Sequence, residues 1–141
     1  MDILFVAGFA PIVPDSARGH SFYRDALGLP LLTNAENPDY IAMNDFGGVK
    51  HFGVWPLADA AESCFGTRTW PAEVPRPQAT IEFEVASVDA VDHAARELES
   101  RGYTLLHGRR TEPWGQVLAR VLGPEGLLIG LSYSPWFHEK D

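Results

Sequence analysis

The sequence predicts an α+β fold of two tandem βαβββ modules, and three observations predict it. Strand-like and helix-like patterns recur in the same order in both halves of the 141-residue chain. Glycines fall at corresponding places: Gly28 and Gly102 follow the two helices, and Gly47-Gly48 and Gly126 precede the last strand of each half. Each half also has only one helix for four strands, so helices cover one face of a mixed sheet and the other face must curve around something. Residues 1–141 read as one domain, with module 1 over about 3–56, a linker over 57–78, module 2 over about 79–134 and a tail over 135–141.

The elements follow in order. Leu4 to Val13 reads as a strand that Pro14 ends. Asp15 or Ser16 then caps a helix whose Phe22, Tyr23, Ala26 and Leu27 form an apolar face up to Gly28. Leu29 to Leu32 and Tyr40 to Met43 are short extended runs, and Asp45-Phe46-Gly47-Gly48 turns the chain into Val49 to Trp55. The linker begins with a short helix over Leu57 to Cys64, after which Pro71, Pro75 and Pro77 predict extended chain. Thr80 to Ala86 alternates like a strand. Ser87 caps a helix with Val88, Val91, Ala95 and Leu98 on one face, and Tyr103 to Leu106, Gln116 to Leu122 and Leu127 to Tyr133 complete the second set of strands. In the last of them Gly130 interrupts an apolar run, which marks a bulge or a place where something approaches the backbone.

Composition narrows the function classes. A 45% hydrophobic and 21% charged chain is of the soluble globular type, and no apolar run reaches the roughly 18 residues of a membrane helix. The apolar start Ile3-Leu4-Phe5-Val6-Ala7 lacks the basic flank of a signal peptide and is interrupted by Pro11 and Pro14, so a mature cytoplasmic protein is expected. A lone Cys64, with no activating cation or base beside it in sequence, fits a reducing compartment and an idle thiol. The formal net charge of −8 argues against nucleic acid, since Arg109-Arg110 is too short to form a basic patch, and admits a neutral or cationic small ligand.

Phe22-Tyr23-Arg24-Asp25-Ala26-Leu27-Gly28 in the first half, and Glu112-Pro113-Trp114-Gly115 with Gly123-Pro124-Glu125-Gly126-Leu127-Leu128-Ile129 in the second, give the chain its likeness to a known family. It resembles the vicinal oxygen chelate superfamily, which includes glyoxalase I, extradiol dioxygenases, fosfomycin-modifying enzymes and bleomycin-resistance proteins. The resemblance implies that the two modules form a cup-shaped sheet with helices on its outer face. It also implies a divalent metal held by His, Glu or Gln near the first and last strands of each module. Carried over position by position, those sites fall at Gly8, at Thr80, at Gly130 and on the strand holding His51.

Strand alternation selects His51 on that last strand. If Phe52 and Val54 pack under a helix, then His51, Gly53 and Trp55 face the cup; by the same parity Thr80, Glu82 and Glu84 face it from the second module, with Ile81, Phe83 and Val85 beneath the other helix. A catalytic metal needs about three protein ligands. His51 and Glu82 supply two, with His107 or Glu84 as a third to be recruited, so no metal or other cofactor is expected. His20, His93 and His138 read as solvated. No Gly-x-Ser-x-Gly elbow or phosphate loop occurs.

Trp55 and Trp114 offer rigid aromatic area for a planar or cationic ligand, whereas Trp70 and Trp136 read as seals at a module or subunit boundary. The candidate ligand-binding residues are therefore His51, Trp55, Thr80, Glu82, Trp114 and Gly130. The bleomycin-resistance branch is acidic, lacks the metal ligands and sequesters a bulky drug at a dimer groove. That likeness implies a homodimeric binder of a small organic molecule, an antibiotic or aromatic metabolite. A metal-dependent lyase or dioxygenase with displaced ligands, and an interaction module without a ligand, are the competing readings.

Overall fold

The computed structural model describes residues 1–138, so the end of the expected tail lies outside the described residues. Strand β1 (Phe5–Val13) stops before Pro14, and the Asp15 carboxylate accepts from the Arg18 N–H at 3.1 Å to start α1 (Ser16–His20). The expected helix continues over Ser21–Ala26, but as a wider π-helical stretch in which the Leu27 N–H reaches back five residues to Phe22. Short strands β2 (Leu32–Thr33), β3 (Ile41–Met43) and β4 (Phe52–Pro56) complete module 1. Helix α2 (Leu57–Phe65) begins the linker.

Module 2 comprises β5 (Ala79–Glu84), α3 (Val88–Ser100), β6 (Leu105–Thr111), β7 (Val117–Leu122) and β8 (Leu128–Tyr133). The Ser87 hydroxyl caps α3 by accepting from the Ala90 N–H at 3.1 Å. Strand β6 runs well beyond the expected Tyr103 to Leu106. Its cause is the Glu112–Gln116 hairpin, closed by the Glu112 N–H donating to the Gln116 carbonyl at 2.8 Å, which zips Arg109 and Arg110 into the ladder. Two register shifts in β6 break the alternation that would have revealed the strand in sequence.

The eight strands form one mixed sheet in the order β2-β3-β4-β1-β5-β8-β7-β6. The modules join within the chain through antiparallel β1 and β5, with Phe9 opposite Ile81 and Ala10 opposite Thr80; β4 and β8 run parallel to β1 and β5 on either side. Outer-face packing follows the alternation. Val54 lies with Leu31, Ile41, Met43 and Tyr23, while Val85 and Phe83 lie in the clusters built on Val91, Ala95 and Ala94 of α3.

Helix α2, in the linker, docks on the opposite face from the module helices. Its buried Ala60, Ala61 and Cys64 pack with Ala10, Ile12, Trp55 and Leu128, residues whose parity puts them on the concave face. The Pro-rich chain after it folds back rather than extending: buried Trp70 meets Phe65 edge-on at 4.9 Å and donates its Nε1–H to the Val74 carbonyl at 3.0 Å. One end of the cup is thereby closed. Among the described residues no helix is long and apolar enough to cross a membrane.

Candidate functional site

The register aligns a row of residues across the concave face. Gly8 stands opposite Glu82, Glu82 opposite Gly130, Gly130 opposite Arg120 and Arg120 opposite His107. His51 closes the row on the other side, since a Cβ built at Gly8 would lie 3.8 Å from the His51 Cβ and 3.6 Å from Glu82 Oε1. Glu82, not Thr80, is thus the β5 member of this row. Thr80 lies two residues along, buried, with its hydroxyl donating to the Leu128 carbonyl at 3.0 Å.

Both nitrogens of His51 are engaged. Nδ1–H donates to Asn44 Oδ1 at 2.6 Å, and Nε2 accepts from the Tyr40 hydroxyl, whose ring stacks on the imidazole at 6.0 Å. Burial holds the His51 pKa below its ordinary value, against the opposing pull of the Glu82 carboxylate. Burial first, and then Glu82, push the Tyr40 phenol upward, so it stays protonated and donates. Gly53 makes this possible: a Cβ there would come within 2.7 Å of Tyr40 Cζ. Tyr40 and Asn44 carry no motif of their own. The signal for Tyr40 is the glycine on the neighbouring strand.

Glu82 is held from the other side. Gln116 donates from Nε2 to Glu82 Oε1 and to Ser132 Oγ, both at 2.8 Å, and accepts from Trp114 Nε1 at 2.8 Å. Gly130, a candidate ligand-binding residue, is packed by its neighbours instead of opening onto the cavity. A Cβ there would lie 3.1 Å from Glu82 Cγ and 3.2 Å from Leu118 Cδ1, so the missing side chain accommodates its neighbours and Gly130 is not part of the cavity wall. Glu84 is likewise withdrawn from the cup. Its wholly buried carboxylate accepts from the Ser134 N–H and faces His138 Nε2 at 2.8 Å, and burial raises its pKa. His138, expected in solvent, stacks on Tyr133 at 4.7 Å instead. His20 meets the Asp39 carbonyl at 2.9 Å, and His93 is exposed as expected.

At the far end Arg120 is 0% exposed, an ion inside an otherwise apolar strand. Its Nη1 donates to Glu112 Oε1 at 2.7 Å and to His107 Nε2 at 3.1 Å, and its guanidinium sits 5.5 Å from the centre of the Trp55 ring. His107 in turn donates Nδ1–H to the Gly108 carbonyl at 2.7 Å. Burial, reinforced by Arg120 and Arg110, lowers the His107 pKa to about 4 despite the Gly108 bond. Burial also pushes the neighbouring Cys64 thiol up to about 11, which leaves it unreactive at neutral pH.

Around the row lies an open cavity of about 900 Å³, whose wall includes Gly8, Tyr40, His51, Trp55, Glu82 and Trp114. Thr80, Arg110, Arg120, Gln116 and Trp136 also line it. Trp55 is nearly buried, whereas Trp114 and Trp136 are 52% and 44% exposed at the rim. Trp136 therefore belongs to the cup mouth in the single chain, while Trp70 seals α2 as described.

The sequence model of the Glyoxalase/Bleomycin resistance protein/Dioxygenase superfamily matches residues 8–131, and the chain belongs to that superfamily. Solved structures of the same fold include a glyoxalase/bleomycin resistance protein/dioxygenase superfamily member from Vibrio splendidus 12B01 (13% identity, TM-score 0.56, covering 92% of this chain and 97% of that one). Methylmalonyl-CoA epimerase from Mycobacterium tuberculosis is 16% identical, with a TM-score of 0.57 and coverage of 96% and 92%. NAD-dependent benzaldehyde dehydrogenase from Legionella pneumophila is 15% identical, with a TM-score of 0.58 and coverage of 89% and 96%. No curated protein matches the chain in sequence.

The superfamily implies a divalent metal, and the residues present do not fit one. Gly8 and Gly130 offer no donor atoms, and both His51 nitrogens are already in hydrogen bonds. Both His107 nitrogens are taken too, and Glu84 is turned to the C-terminal segment. Among the described residues no three His, Cys, Asp or Glu side chains converge as ligands.

Proposed function

We propose that this protein binds a planar aromatic organic molecule in its cup and holds it without the help of a metal. One observation carries the reading: the imidazole of His51, the best remaining donor in the row, is locked between Tyr40 and Asn44 beneath an open cavity. A locked, neutral imidazole–phenol pair offers a ligand a flat, rigid floor. Trp114 and Trp136 at the mouth supply large amphipathic surfaces on which a planar molecule stacks, and Trp55 extends the aromatic wall inward. The geometry favours an aromatic over a cationic ligand, because Arg120 already occupies the Trp55 ring. A module that needed no ligand would gain nothing by leaving this volume unfilled.

A homodimer belongs to the same reading, with Leu27 and the 73% exposed Leu32 on edge strand β2 as apolar surface for it. A reducing, cytoplasmic setting is part of it too, on the strength of the single buried Cys64. The test is a tryptophan-fluorescence titration with planar aromatic compounds. Saturable quenching is expected, weakened roughly tenfold in Trp114→Ala, as loss of a stacking surface worth about 1–1.5 kcal/mol predicts. A flat response across the panel overturns the proposal.

A further inference from the structure

Two guanidinium groups face the cavity from the β6/β7 end, and only one has a counter-ion. Arg110 stands opposite Leu118, which puts it on the concave face, half-buried and in the cavity wall. Among the described residues no carboxylate lies within ion-pair distance of it. Arg120, two residues along β7 from Leu118, is wholly buried in the same wall, and only its Nη1 has acceptors. Nε and Nη2 have none among the described residues. Both nitrogens are buried, so this edge of the guanidinium adds unpaired positive character behind the cavity wall without itself touching a ligand.

Glu112 alone offsets the pair, so this end of the cup carries a local charge of +1 in a chain of net charge −8. Arg120 has Glu112 as counter-ion, whereas half-buried Arg110 has none, so an anion at the cavity wall would supply the charge this end lacks. The cavity's other acids do not supply it. Asp59 and Glu62 pair with Arg68, Glu82 lies three strands from Arg110 and is tied to Gln116, and Glu36, between β2 and β3, makes no ion pair with either arginine among the described residues.

We propose that the β6/β7 end is a subsite for a carboxylate on the ligand, met at the cavity wall by Arg110 and backed by the Nε–Nη2 edge of Arg120. The inference rests on the planar-ligand reading and deepens it: the molecule is an aromatic carboxylic acid, its ring against Trp114 and Trp136 and its acid group at Arg110. Trp55 and Glu112 fix the plane of Arg120, so the second charge is in place before the ligand arrives.

Three probes that share the naphthalene ring system and differ in charge test it by isothermal titration calorimetry on the full chain: naphthalene-2-carboxylate, naphthalene-2-carboxamide and 2-naphthylmethylammonium. The carboxylate should bind at least about tenfold more tightly than the amide, the effect of one charge-assisted hydrogen bond. Arg110→Gln should bring acid and amide to within about twofold of each other, and Arg110→Lys should restore part of the preference. A thermal melt confirms that each variant is folded. Amide or ammonium binding as tight as the acid, or an acid preference that survives Arg110→Gln, overturns the carboxylate subsite and leaves the planar-ligand reading standing. No binding of any of the three overturns that reading and the subsite with it.

Discussion

His51 and His107 stand at opposite ends of one row and are satisfied in the same way. Each donates Nδ1–H to a carbonyl oxygen, Asn44 Oδ1 or the Gly108 carbonyl, and each has Nε2 capped by a donor, the Tyr40 hydroxyl or Arg120 Nη1. Both are therefore held neutral, and pH must act on them. The ordinary histidine pKa is 6.5, and folded His107 titrates at about 4. Between those values the unfolded chain binds a proton that the folded chain refuses. His107's contribution is thus intact above 6.5, falls as the pH drops, and is fully lost near 4, a loss of about 2–3 kcal/mol. Urea unfolding between pH 7 and 4 should show this slope, and His107→Gln should flatten it. A slope unchanged in the variant would mean that the fold leaves the His107 pKa at its unfolded value. Strand parity, which reads the facing of each residue from sequence alone, brings His51, Trp55 and Glu82 to the cup. It does not reveal Tyr40, Asn44, Gln116, Arg110 or Arg120. The partners of Tyr40, Asn44, Gln116 and Arg120 lie elsewhere in the chain, and the facing of Arg110 depends on the bulges of β6, which no local pattern encodes.

Among the elements, α2 is the piece that makes the cup a cavity rather than a trough. The short helix over Leu57 to Cys64 is legible from its pattern, but its docking on the concave face is not. That docking depends on Ala60 and Ala61 being small enough to approach Ala10 and Ile12, and on Trp70 returning over Phe65. Three prolines in the following stretch suggest an extended chain when read locally, although a packed indole with a satisfied N–H overrides that preference. Replacing Trp70 by Ala removes a buried ring and leaves the Val74 carbonyl without its donor. The expected cost is about 3–5 kcal/mol, read as a lowered denaturation midpoint. A loss under about 1 kcal/mol would show that α2 stays docked without it, against the packing described.

Over the whole molecule, the βαβββ repeat, its helix ends and its turns are legible because each rests on short-range signals: a cap, an apolar stripe, a glycine at the right interval. Pairing of the two modules within one chain is not, since a linker of this length reaches either partner. The β1–β5 junction decides it and brings Gly8 beside Glu82 at the centre of the sheet. Where the superfamily implies a metal, this chain has two glycines, a doubly hydrogen-bonded imidazole and a carboxylate tied to glutamine. These replacements motivate the proposed binding of a planar molecule without a metal. The most direct measurement is the Kd for naphthalene-2-carboxylate, taken once on chelator-treated protein and once with excess Zn²⁺, Mn²⁺ or Ni²⁺. Saturable binding is expected with the chelator present, and the same Kd, within about twofold, when metal is added; binding that appears only with metal would contradict a metal-free site.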